Sequence, residues 1–218
     1  MKRLLIGLSL LVIGLGIVFY PHVQRLIYAQ EEDQLVTAFY DQMEVSQEQQ
    51  REEMSLLETV REEEVVEFNE GETSSETTEP EEKPAVSSNL VGVMRIGQID
   101  LELPVLDGAT EHNLNRGLGL MKSTAPLGEK GNTGIAGHRG YSHGVLFNRL
   151  DEVVEGDRIE IETPDEVIEY EVYNVLLVEP EDVWVLEPED GKTNITLITC
   201  EPIYDPTHRI IVQAERVN

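Results

Sequence analysis

The sequence predicts a small all-β domain, barrel or sandwich, behind an apolar anchor and an acidic stalk. Three observations carry this. From residue 90 onward, short runs alternate apolar and polar residues between Gly, Pro, Asp and Asn turns. Ahead of them, residues 31–84 hold 19 Asp or Glu against 3 Lys or Arg, a composition that stays solvated. At the start, Leu4 to Tyr20 is 17 residues without a charge.

The apolar run follows Lys2 and Arg3 and precedes Arg25 and Glu31. A membrane span takes about 17–25 such residues. With no clear small-residue cleavage site behind it, the run reads as an uncleaved anchor rather than a signal peptide. Lys2 and Arg3 then stay inside, and the rest of the chain lies outside the cell membrane. The anchor is assigned to residues 1–30.

Residues 31–88 form the stalk. Leu35, Ala38, Phe39 and Met43 make a partial helical stripe, and Leu56, Leu57 and Val60 make another. The heptads are not sustained, so a solvated stalk helix is expected over 31–69 rather than a self-association coil. Over residues 70–89 almost no apolar residue occurs, and disorder is expected there.

The folded domain is assigned to residues 89–218. Val91–Ile96 and Ile99–Val105 read as paired strands around Gly97-Gln98. Thr110 caps a short helix from Glu111. Asn132–Gly137 is a short strand, and 144–150 is a helical turn or two. Arg158–Glu162, Val167–Val178, Ile195–Cys200 and Arg209–Val217 complete seven or eight strands.

A net charge of −27 excludes nucleic acid as a partner, because phosphates are repelled. One cysteine, Cys200, excludes an intramolecular disulfide framework. A lone thiol outside the cell is either buried and inert or exposed and functional. Cys200 sits where Pro202 ends its strand. Nine residues on, Arg209 opens the next strand and points away from that strand's apolar face. A guanidinium keeps its proton, so it suits an oxyanion rather than proton transfer.

His138 lies in Asn132-Thr133-Gly134-Ile135-Ala136-Gly137-His138-Arg139-Gly140, an open glycine-rich turn. Imidazole is the side chain suited to exchange protons near neutral pH. His112 reads as solvated and His208 as structural. Ser142-His143-Gly144 resembles part of an L,D-transpeptidase motif, but Val145 stands where its cysteine belongs. Papain-like proteases place cysteine before histidine. Chymotrypsin-type cysteine proteases need a Gly-x-Cys-Gly elbow, which is absent.

Thr196-Leu197-Ile198-Thr199-Cys200, then Arg209, with Gly137-His138 62 residues before the cysteine, resembles the sortases. The resemblance runs from about Val91 to Val217 and includes Gly137-His138-Arg139-Gly140, Leu146-Phe147, Leu150-Asp151 and Gly156-Asp157. It implies an eight-stranded β-barrel with short helices on the outer face of a Gram-positive cell membrane. It implies a cysteine transpeptidase that cleaves an LPxTG-like sorting signal after threonine. The acyl group then passes to an amine of a peptidoglycan precursor or a pilin. It assigns Cys200 as nucleophile, His138 as general acid and base, Arg209 as oxyanion or substrate holder, and Thr199 as an aid to substrate positioning. To these the chemistry adds the Glu201 backbone N–H as a second oxyanion donor. Ile198, on the face of Cys200, is expected to help form an apolar floor. No metal or cofactor is required. A single N-terminal anchor and a compact domain point to class D, whereas Gly-His-Arg-Gly and Leu-Phe are class C-like. The alternative is a non-catalytic extracellular β-domain that binds a wall component.

Overall fold

Period-two alternation closes into a barrel in the computed structural model, which describes residues 2–63, 89–140 and 146–217. The strands are β1 (Leu90–Ile96), β2 (Leu101–Leu106), β3 (Leu118–Leu120), β4 (Gly131–Ala136), β5 (Arg158–Glu162), β6 (Val167–Val178), β7 (Thr193–Glu201) and β8 (His208–Arg216). Around the barrel they run β1-β2-β3-β4-β7-β8-β6-β5, with β5 returning to β1. Two pairs are parallel, β2 with β3 and β4 with β7; the rest are antiparallel. Closure leaves no free sheet edge. This is the eight-stranded barrel that the sequence led one to expect. β3 is too short for its alternation to be read.

Inward residues of each strand fill the interior. They include Met94 and Ile96, Leu103 and Val105, Ile159 and Ile161, Ile168 and Tyr170, Ile195 and Leu197, and Ile210, Val212 and Ala214. Phe147 and Leu150, on a 3₁₀ turn spanning Phe147–Glu152, plug the barrel and are fully buried. A smaller apolar cluster covers the outer face of β7 and β8. There Val178, Val185 and Ile211 pack with Leu176, Leu186 and Ile198. Val185 and Leu186 come from a second 3₁₀ turn, Val183–Leu186, in the β6–β7 connection. The short helix α2 (Glu111–Leu114) starts as expected, with Thr110 Oγ1 accepting from the Asn113 N–H at 3.3 Å.

The N-terminal helix α1 runs Lys2–Glu63. Its 31–40 stretch is not a solvated stalk: it lies against β1 and β2. Leu35 and Phe39, two residues of the partial apolar stripe, are buried. Glu31 pairs with Arg116 at 3.1 Å. The Tyr40 hydroxyl donates to Glu102 at 3.1 Å and also contacts Arg95. Arg95 in turn pairs with Glu102 at 3.0 Å and Glu162 at 2.7 Å. A partial stripe of which two residues are buried is too short to signal docking in sequence. The sheet supplies the complementary face. Among the described residues, no helix is long and apolar enough to cross a membrane. Most side chains of the Leu4–Tyr20 run lie outside that description, as do residues 64–88, where most of the expected disordered segment falls.

Candidate active site

Barrel order, not chain order, builds the site. β7 lies between β4 and β8. Cys200 and Arg209 are direct cross-strand partners in the β7–β8 register. Opposed Cβ atoms of this kind lie about 4.5–5.5 Å apart. On the other side, β4 and β7 run parallel with Ala136 beside Ile198. The pairing continues past the strand end, where the Gly137 N–H donates to the Ile198 carbonyl at 3.1 Å. Two residues past Ala136 comes His138, and two past Ile198 comes Cys200. The thiol is therefore flanked by the imidazole on one side and the guanidinium on the other, with neighbouring strands about 4.8 Å apart.

All three occupy the outer face at one rim, and each is partly buried. Thr199 and Ile210, the neighbours of Cys200 and Arg209, belong to the closed interior, and Gly137 beside His138 is buried too. In a chain this acidic, Arg209 would be expected to carry a carboxylate. Its Nη1 instead donates to the His208 carbonyl at 2.9 Å. Among the described residues no Asp or Glu forms an ion pair with it. Guanidinium donors thus remain for an incoming oxygen.

The loop bearing His138 is held at several points. Thr199 Oγ1 donates to the Gly137 carbonyl at 2.8 Å. The Phe147 N–H donates to the His138 carbonyl at 3.0 Å, and Asn148 Nδ2 donates to the Gly140 carbonyl at 2.6 Å. Gly137 is required by space. A Cβ there would lie 2.5 Å from Phe147 Cδ2 and 2.7 Å from Leu118 Cδ2.

Thr199 is turned inward and only 2 % exposed. Its hydroxyl reaches the histidine loop rather than the outer face. Glu201 follows Cys200, and its carboxylate pairs with Arg139. Arg139 also pairs with Asp151 at 3.1 Å, and its side chain is 7 % exposed. A free carboxylate beside a thiolate would repel it; the Arg139 charge offsets this. Ile198 is half-buried in the outer apolar cluster, one outward position before Cys200. His112 is exposed against Arg116 at 3.1 Å. His208 Nδ1 contacts the Thr207 hydroxyl at 2.8 Å. His143 lies outside the described residues. Among the described residues, no group of three His, Cys, Asp or Glu is placed to hold a metal ion.

Sequence reasoning did not assign Arg139 or Phe147 a role, although both stand in the quoted motif. Buried Asn132, Thr196 and Gln213, on the outer face of β4, β7 and β8, were likewise given no role.

A closed β-barrel with thiol, imidazole and guanidinium on three adjacent strand ends, the guanidinium without a carboxylate partner among the described residues, is laid out for thiol-dependent acyl transfer. The family model described as the Sortase domain matches residues 94–217. Sortase A of Bacillus anthracis is 38% identical over 128 residues, 59% of this chain and 60% of that protein. The structure of sortase A from Corynebacterium diphtheriae superposes with a TM-score of 0.58 at 36% identity, covering 62% of this chain and 63% of that one. Streptococcus agalactiae sortase C1, solved in complex with MTSET, gives 0.57 at 32% identity, covering 60% and 68%. The chain belongs to the sortase family. Its curated relatives carry the names sortase A, D and E, and the match to the Bacillus anthracis protein spans under two thirds of that relative's length.

Proposed function

We propose that this chain is a membrane-anchored cysteine transpeptidase that cleaves an LPxTG-like sorting signal after its threonine and transfers the new acyl end to an amine. The observation that carries this reading is the position of Cys200 between His138 and Arg209, which has no carboxylate partner among the described residues.

The Cys200 thiolate attacks the threonine carbonyl carbon. The carbonyl oxygen becomes an oxyanion, held by Arg209 and the Glu201 backbone N–H. His138, as imidazolium, protonates the departing amine, the C–N bond breaks and a thioester remains. Neutral His138 then takes a proton from the acceptor amine as that nitrogen attacks the thioester. The second tetrahedral adduct collapses to an amide and returns the thiolate. The acceptor is an amine of a peptidoglycan precursor or a pilin. Ile198, with Val185 and Ile211 behind it, supplies the apolar floor for the donor's leucine.

The anchor is residues 1–30, followed by the acidic segment to residue 88 and the catalytic domain from 89. Leu15, Phe19, Val23 and Ile27 are exposed on α1; a lipid environment would cover them. The catalytic domain then faces outward.

The test incubates the full chain with an LPxTG-type peptide library and follows intact mass. Wild type is expected to accumulate a thioester on Cys200 that an added amine discharges. Cys200→Ala is expected to form none, and Arg209→Ala or His138→Ala to slow its formation at least 100-fold. Unchanged transpeptidation by Cys200→Ala would sink the proposal, and a wild-type chain that forms no thioester and cleaves no peptide would favour a non-catalytic wall-binding domain.

A further inference from the structure

Three side chains converge on one backbone carbonyl beside the site. Asn132 Nδ2 lies 3.1 Å from the Val185 oxygen. Gln213 Nε2 lies 3.0 Å from it, and Thr196 Oγ1 3.2 Å. Thr196 Oγ1 is also 2.8 Å from Asn132 Oδ1. Asn174 Nδ2 orients Gln213 by donating to its Oε1 at 3.0 Å. The network crosses β4, β7, β8 and β6, four strands adjacent in the barrel. A hydroxyl has one proton, so Thr196 alternates between Asn132 and Val185, while the two amides donate to the Val185 oxygen throughout.

These polar groups are buried: Thr196 is 0 %, Asn132 3 % and Gln213 9 % exposed. Apolar residues at the same outward positions would cover the sheet without the cost of desolvating amides. What the network adds is a fixed position for the Val183–Leu186 turn. Val185 and Leu186 pack on Ile211 and Ile198. Those two sit one outward position from Arg209 and Cys200 in the same register. On the far side of the turn, Val183 and Trp184 stay 70 % and 50 % exposed.

We propose that Asn132, Thr196 and Gln213 are positioning residues that pin the Val185 carbonyl. They thereby hold the Val183–Leu186 turn as a rigid wall of the groove for the donor's apolar side chain. The inference rests on the transpeptidase reading above. Neither chemistry nor acceptor attack passes through these residues. Loosening the wall acts on donor binding and selectivity.

The test measures donor kinetics for Thr196→Val, Gln213→Met and Thr196→Ser. Val and Met keep the shape and lose donors; Ser keeps the hydroxyl. Losing about one net hydrogen bond from the wall is expected to raise donor KM roughly tenfold. KM should rise much more than kcat falls, and Thr196→Ser should stay near wild type. Preference for leucine over alanine in the donor should narrow in Thr196→Val and Gln213→Met. Hydrogen exchange of the Val183–Glu187 amides should speed up, and this holds as a readout if a variant is poorly active. Wild-type KM, selectivity and exchange in both variants would overturn the wall. Failure of the transpeptidase reading looks different: the wild-type chain would form no thioester with any donor.

Discussion

Replacing Gly137 by alanine tests how tightly the histidine loop is set. The new Cβ would lie 2.5 Å from Phe147 Cδ2, 2.7 Å from Leu118 Cδ2 and 3.0 Å from Phe147 Cε2. Carbon–carbon contacts settle at about 3.5–4.0 Å, so roughly 1 Å of movement must be found. Phe147 and Leu118 are both fully buried and have nowhere open to go. The Gly137 backbone is bonded on both sides, to the Ile198 carbonyl at 3.1 Å and the Thr199 hydroxyl at 2.8 Å. Overpacking of this kind costs about 1–3 kcal/mol, a fall in Tm of roughly 3–10 °C for a domain of this size. Because His138 is the next residue, a displacement of about 1 Å is expected to lower kcat/KM about 100-fold. Thermal melting and peptide cleavage read the two effects separately. Adding Phe147→Leu, which removes ring atoms from the crowded spot, should restore part of both. A Gly137→Ala protein with wild-type Tm and activity within twofold would refute the packing argument.

Thr199→Val removes the hydroxyl that holds the Gly137 carbonyl; a loss of about 1–2 kcal/mol in unfolding experiments is expected, with kcat/KM reduced about tenfold and Thr199→Ser near wild type. Arg139→Met leaves the Glu201 and Asp151 carboxylates without their cationic partner, so denaturant unfolding should register a loss of about 2–3 kcal/mol, partly recovered by adding Glu201→Gln. Burial first, and then the neighbouring Asp33 charge, push the Glu32 carboxyl up to about 7. A carboxyl raised on folding takes up a proton, so its favourable contribution is full below its ordinary value near 4.5 and lost as pH climbs through 7. Hydrogen exchange in the 31–40 stretch of α1 should therefore slow as pH falls from 8 to 5, after correction for intrinsic rates. Glu32→Gln should abolish that dependence.

Much of the site was legible because its chemistry is carried by residue types that few roles explain. A lone thiol at a strand end, a guanidinium opening the next strand and an imidazole among glycines each have a bland reading. Their order and spacing narrow the choice. Arg139 was not legible, although it adjoins His138. Its partners Asp151 and Glu201 lie 12 and 62 residues away, and nothing local marks them among so many acids. The docking of α1 was missed for a related reason: Leu35 and Phe39 make a face only when β1 and β2 are set against it.

Period-two alternation determined the all-β domain, since a pleated strand sends successive side chains to opposite faces wherever it ends up. It also placed Cys200 and Arg209 on the faces they occupy, because a hairpin is a local object. Which strand flanks Cys200 on its other side was decided by closure of the barrel, which seats β4 parallel to β7. No local pattern encodes a pairing across 62 residues. The same closure brings the Val185 carbonyl over Asn132, Thr196 and Gln213. In sequence these are ordinary polar residues on outward positions. Only a backbone oxygen arriving from the β6–β7 connection turns them into a clamp.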